Sequence, residues 1–208
     1  MEDKIKGIEN IIKRIEAEYQ QNQGLILSED DLKCLAYKYL FELYSAPMET
    51  MDPEVKAIQL HTEIPWYDNN GHLSIYPDIT IILNPKQISI KHGSFFKVKD
   101  GVVYYGKLPR KQFRFSGDAI LIEFKFIKRK SGAKQTDSTQ IERDIRKMLG
   151  LIEKHNNVEK ITGVMIIFNK TDKGKALMEE LVSKYRDIEN LKMMYCSGKV
   201  SFEAPNQW

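Results

Sequence analysis

Gly117–Lys130 reads GDAILIEFKFIKRK. Ile120, Leu121, Ile122, Phe124, Phe126 and Ile127 have the β-branched and aromatic character of a buried strand. Two charges, Glu123 and Lys125, interrupt the run. Side chains two apart on a strand project to the same face. A carboxylate and an amine inside an apolar strand are costly unless they are paired or used. Apolar neighbours on either side of each charge point to a strand buried on both faces, not to the wet face of an edge strand.

The segments C-terminal to this strand alternate in type. Lys128 to Thr136 reads as a basic loop with Ser131-Gly132 at its centre. Asp137 is expected to cap a helix whose stripe is Ile141, Ile145, Met148, Leu149 and Ile152, stopped by His155-Asn-Asn157. Ile161 to Phe168 reads as a short continuous strand. Thr171 is expected to cap a further helix carrying Ala176, Leu177, Leu181, Val182 and Tyr185. Leu191 to Tyr195 makes a last core strand, Val200 to Phe202 an edge, and Pro205 to Trp208 a frayed tail.

On the N-terminal side, Ile5, Ile8, Ile11, Ile12, Ile15 and Tyr19 fall at helical spacing, and the helix closes within residues 20–24. Ser28 opens a second helix, with Asp31 three residues on in a capping-box arrangement. Its stripe is Leu32, Leu35, Ala36, Tyr39, Leu40 and Leu43. A strand near 58–65, a turn at 67–71 and a strand over 72–83 read as a hairpin. Residues 95–98 and 102–105 flank Lys99-Asp100-Gly101 as a second, short hairpin. Strand–helix–strand segments favour a parallel portion and the hairpins add antiparallel pairs. The predicted architecture is one α/β domain over 1–208, a central mixed sheet flanked by helices, with residues 1–24 forming an N-terminal helix.

Composition agrees. The 208 residues are 42% hydrophobic and 29% charged, ordinary for a globular chain with a sizeable core. No apolar run is long enough to span a bilayer. The charged start is unlike a signal peptide. Cys34 and Cys196, far apart and without metal-ligand spacing, are expected to be buried thiols in a reducing cytoplasm. Residues 1–63 carry 13 acidic and 7 basic side chains, whereas residues 79–117 carry 8 basic ones and a single acid, Asp100. That asymmetry suggests a surface facing a polyanion.

Several chemistries find no support. His61, His72, His92 and His155 lack zinc-ligand spacing. There is no P-loop glycine pattern and no convincing nucleophilic triad. Asp78 is different: it follows Pro77 and leads directly into the apolar run Ile79 to Leu83. Two carboxylates from neighbouring strands, Asp78 and Glu123, suit a hard divalent cation such as Mg²⁺. A lysine beside them, Lys125, can orient or deprotonate an attacking water and offset phosphoryl charge. This is a sufficient kit for phosphodiester hydrolysis.

Pro77-Asp78 followed by Glu123-Phe124-Lys125 in an apolar strand, with a helix and a strand after, resembles the PD-(D/E)XK nuclease superfamily, the restriction-endonuclease-like fold. The likeness covers roughly residues 28–170 and implies an α-β-β-β-α-β core. It implies that Asp78 and Glu123 bind Mg²⁺, with Mn²⁺ able to substitute, and that Lys125 is the catalytic lysine. Residues 86–117 would then be an insertion between the motif strands. Many members add an acid from the helix before the first strand; Glu29, Asp31 and Glu42 are the candidates. Glu63 is a further candidate ligand, and Gln140 stands where some members place a polar active-site residue. Each of the last four also has a local role open to it: Asp31 as a helix cap, Gln140 as a partner of Asp137, Glu42 as a solvated helix residue, Glu63 as a cross-strand partner.

Lys128, Arg129, Lys130 and Lys134 form the loop that leaves the motif strand, where a nucleic-acid backbone would pass. Lys107, Arg110, Lys111 and Arg114 could grip phosphates similarly, with Phe113 available to stack. The expected function is a cytoplasmic, magnesium-dependent nuclease acting on DNA rather than RNA. The rivals are an inactive module of the same fold that binds nucleic acid or a partner protein, and a partner-dependent subunit or homodimer packed through the first helix.

Overall fold

The computed structural model describes residues 1–52, 54–67, 73–84, 88–89, 94–99, 102–107, 114–115, 117–155 and 160–198. The main elements are α1 (Glu2–Gln21), α2 (Glu29–Tyr44), β1 (Leu60–Thr62), β2 (Ile79–Ile82), β3 (Ala119–Ile127), α3 (Gln135–His155), β4 (Ile161–Asn169), α4 (Lys175–Lys184) and β5 (Leu191–Ser197). One mixed five-stranded sheet runs in the order β5-β4-β3-β2-β1 and is flanked by helices. β2 pairs antiparallel with both neighbours, with Ile79 opposite Ile122 and Thr62. β3 and β4 are aligned at both ends: Ala119 N–H donates to Lys160 O and Lys170 N–H to Ile127 O. The long strand proposed from the sequence is therefore central. No helix is long and apolar enough to cross a membrane among the described residues.

The chain gathers into two compact units; β3, β4, α2 and α3 each contribute residues to both. In the first unit (1–40, 123–146 and 164–208), Ile8, Ile12, Ile15 and Tyr19 are the buried stripe of α1. Each of those isoleucines contributes roughly 2 kcal/mol by leaving water. The stripe is consumed within the chain, with Tyr19 packing edge-on to Phe168 at 5.1 Å. Glu16 accepts the Ser197 N–H at 2.7 Å and Gln20 donates to Ser197 O at 2.9 Å, so α1 side chains cover the outer side of β5 at that residue. The capping box forms as expected: Ser28 Oγ accepts the Asp31 N–H at 3.1 Å and Asp31 Oδ2 accepts the Ser28 N–H at 2.9 Å.

Two helix starts differ from expectation. α3 begins at Gln135, so Asp137 is its third residue and reaches back to the Lys134 N–H at 2.8 Å instead of serving as the cap. α4 begins at Lys175 after the left-handed Gly174; Thr171 is buried and accepts the Lys173 N–H, forming the turn before the helix. In both, a side-chain-to-backbone bond close to the true start mimics a cap signal. Cys34 also departs: it is exposed, and Cys196 is the buried thiol.

In the second unit (41–122 and 147–163), the expected hairpin is split. Leu60–Thr62 pairs with Ile79–Ile82, while Trp66–Tyr67 pairs separately with Leu73–Ile75 across a bulge. Short ladders join Met48–Glu49 to Lys56–Ala57 and Ile88–Ser89 to Arg114–Phe115. The second hairpin is present, Ser94–Lys99 with Val102–Lys107. Gly163 packs closely under α3, where an added Cβ would lie 2.2 Å from Met148 Sδ and would push that side chain aside. The expected turn at 67–71 beyond Tyr67, the edge at 200–202 and the terminal tail lie outside the described residues.

Candidate active site

The charged triplet of β3 sits where the strand leaves its β2 partner. The β2–β3 ladder ends at Ile79 opposite Ile122, and Glu123 is the next residue of β3. Glu123, Lys125 and Phe126 are half-buried between the buried Ile122, Phe124 and Ile127. Lys125 Nζ lies 2.9 Å from Glu123 Oε1, as same-face strand positions allow. It also lies 3.1 Å from Asp144 Oδ2 on α3. The three side chains retain only 21%, 20% and 14% of their exposure, so this ion-pair cluster is largely screened from water.

The start of α2 adds a third acid. Glu29 is its first residue, and its Oε2 accepts the Phe126 N–H at 2.9 Å. Phe126 lies beyond the β2 ladder, so a side chain takes the place a strand carbonyl would fill. Burial pushes the Lys125 pKa down, but the carboxylates of Glu123, Asp144 and Glu29 outweigh it and hold the ammonium well above its ordinary value. At neutral pH Lys125 is therefore a cation and hydrogen-bond donor, not a base.

Of the three helix acids, Glu29 is the one within electrostatic reach of Lys125. Asp31 is spent on the N-terminal cap, where bonds from the Leu27 and Ser28 N–H groups and the Ser28 hydroxyl hold its carboxyl below the usual range. Glu42 and Gln140 are exposed. Asp144, one turn beyond Gln140, makes the contact with Lys125 instead. The sequence carried a signal for it: an acid directly beside Ile145 in the buried stripe of α3.

Asp78 and Glu63 belong to the second unit. Asp78 is half-buried, follows the buried Pro77, and accepts the Glu63 N–H at its backbone carbonyl at 3.3 Å. Glu63 is exposed with φ of 50°, a left-handed conformation that costs a non-glycine residue about 1 kcal/mol or more. Carboxylate oxygens are the right donors for Mg²⁺. Among the described residues no group of three or more His, Cys, Asp or Glu side chains is arranged to hold a metal; the acids around Lys125 converge on its ammonium.

Lys128, Arg129, Lys130 and Lys134 are exposed on the loop after β3, with Arg129 paired to Asp137. Lys107 and Arg114 lie on described strands, but their side chains, together with Arg110, Lys111 and Phe113, are outside the described residues.

No family model matches the chain, and no curated protein or solved structure matches it.

Proposed function

We propose that the chain is a metal-dependent nuclease of the PD-(D/E)XK kind, hydrolysing DNA phosphodiesters. The observation that carries the reading is the Lys125 ammonium held by Glu123 and Asp144 on the strand that follows the Ile79–Ile122 pair. Asp78 and Glu123 are each the next residue along the chain from a member of that pair. In this reading the two carboxylates would hold Mg²⁺. When bound, the ion would polarise the phosphoryl group and lower the pKa of a water.

The protein's own groups supply the rest. Lys125, kept protonated by its acids, donates to the attacking water or to a phosphoryl oxygen and offsets charge there. Asp144 positions Lys125. Glu29 fixes the backbone of the triplet through Phe126.

The test is turnover of plasmid and short duplex DNA with Mg²⁺ or Mn²⁺. Cleavage is expected in wild type and absent in Asp78→Ala, Glu123→Ala and Lys125→Ala, with circular dichroism unchanged. No cleavage of DNA or RNA by wild type, or alanine variants that cut equally well, would overturn the proposal. The exposed basic loop also favours the second reading, a nucleic-acid-binding module without turnover, for which salt-sensitive binding without cleavage is the signature.

A further inference from the structure

The loop after β3 is locked to the loop after β4. Ala133 N–H donates to Lys173 O at 3.0 Å, and Asn169 Nδ2, fully buried, donates to the same oxygen at 2.9 Å. Gly132 and Gly174 are both left-handed, with φ of 75° and 76°. A Cβ at Gly132 would lie 2.0 Å from Lys173 O, and one at Gly174 would lie 2.4 Å from Ala133 O. Two glycines and a shared carbonyl thus bring the two backbones closer than any side chain would allow. Residues 128–134 and 170–175 form one continuous surface at the ends of two adjacent, parallel strands.

That surface is strongly basic. Residues 128–134 read KRKSGAK and residues 170–175 read KTDKGK. Arg129 is paired with Asp137 and Lys175 with Glu179. Lys128, Lys130, Lys134 and Lys173 are exposed, and none of the four is in an ion pair among the described residues. Four exposed ammonium groups on two joined loops create a positive potential that attracts a polyanion.

We propose that the interlocked loops form one docking platform for the phosphate backbone of DNA, with Lys173 of the second loop acting together with Lys128, Lys130 and Lys134 of the first. The proposal rests on the DNA-directed reading of the neighbouring site. Lys128 is three residues beyond Lys125, at most about 10 Å along the chain, so a strand on the platform passes the candidate site. A membrane surface fits less well. Basic membrane-binding segments carry apolar side chains to insert, and neither loop contributes to the exposed large hydrophobic residues Leu25, Leu27, Phe41, Leu43, Met48, Met51 and Tyr76.

The experiment is fluorescence-anisotropy titration of a short mixed-sequence DNA duplex in EDTA over a range of salt, with anionic vesicles in a parallel arm. Lys130→Ala and Lys173→Ala are each expected to lower the slope of log affinity against log salt by about 0.9, and the double variant by about twice that. Lys6→Ala, an exposed charge on α1, is expected to bind as wild type. The proposal is overturned if Lys173→Ala keeps the wild-type slope, if wild type does not bind the duplex, or if it binds only vesicles. Loss of platform-dependent binding with metal-dependent cleavage intact removes this inference alone. Platform-dependent binding without cleavage removes the nuclease reading alone.

Discussion

Lys125 on β3 and Asp144 on α3 are joined by a 3.1 Å ion pair, and Glu123 completes it at 2.9 Å from the strand itself. A strand lysine is thereby held by one acid from its own element and one from the next. The arrangement keeps the ammonium charged and limits where its Nζ can go.

Asp144→Asn removes one of the acids while preserving shape. Glu123 still holds the lysine, so the loss in unfolding free energy is expected at about 1–2 kcal/mol, below the roughly 3–5 of a fully buried broken pair. Urea denaturation measures it. If Asp144 positions Lys125, turnover falls further than stability does, and Asp144→Glu restores part of it.

The pH dependence of the cluster has a defined sign. Folding raises the Lys125 pKa. Its contribution is therefore complete below the unfolded value of about 10.4 and is lost as pH rises through the higher folded value. The stability gap between wild type and Lys125→Met is expected to stay constant through neutral pH and to close only under alkaline conditions. A gap that already closes between neutral and mildly alkaline pH would contradict this.

Ser28→Ala is expected to cost about 1 kcal/mol through loss of the α2 cap. The change also loosens Glu29, the next residue, and with it the bond to the Phe126 N–H. Faster hydrogen exchange at Phe126 than at Phe124 would show that consequence directly.

Glycine substitutions should separate by site. Gly7 in α1 has nothing within 4 Å of an added Cβ, so Gly7→Ala is expected to stabilise by about 1 kcal/mol. Gly132→Ala meets both a left-handed backbone and the Lys173 carbonyl, and is expected to destabilise by about 2 kcal/mol or more. Thermal melts of the two variants should move in opposite directions.

The thiols give an independent check on packing. Cys34 is exposed, whereas burial pushes the Cys196 thiol pKa up. One thiol is expected to react with an aromatic disulfide reagent in native protein and a second only after denaturation.

Period and capping carried the sequence reading where local chemistry was unopposed. Ile8, Ile12, Ile15 and Tyr19 announced α1, Ser28 and Asp31 announced the start of α2, and residues 119–127 announced the central strand. Elsewhere a local signal had two structural outcomes. Asp137 bonds the Lys134 N–H as well from inside the helix as a cap would from outside, so reading it as the cap starts α3 three residues late. Thr171 makes a turn, while the left-handed Gly174 starts α4. Its place beside the buried stripe marks Asp144 only as an acid near the core; its role depends on Lys125, nineteen positions earlier in the chain, and no local periodicity records that pairing. Choosing Glu29 over Asp31 likewise required the Phe126 N–H, which only the end of the β2 ladder exposes to it.

Manganese binding tests the central claim most directly, through water-proton relaxation of Mn²⁺ titrated with wild type, Asp78→Asn and Glu123→Gln. The account predicts a bound ion in wild type and its loss in each variant, with folding intact by circular dichroism. Wild type that leaves Mn²⁺ free, or variants that retain it at wild-type affinity, would contradict the two-carboxylate site.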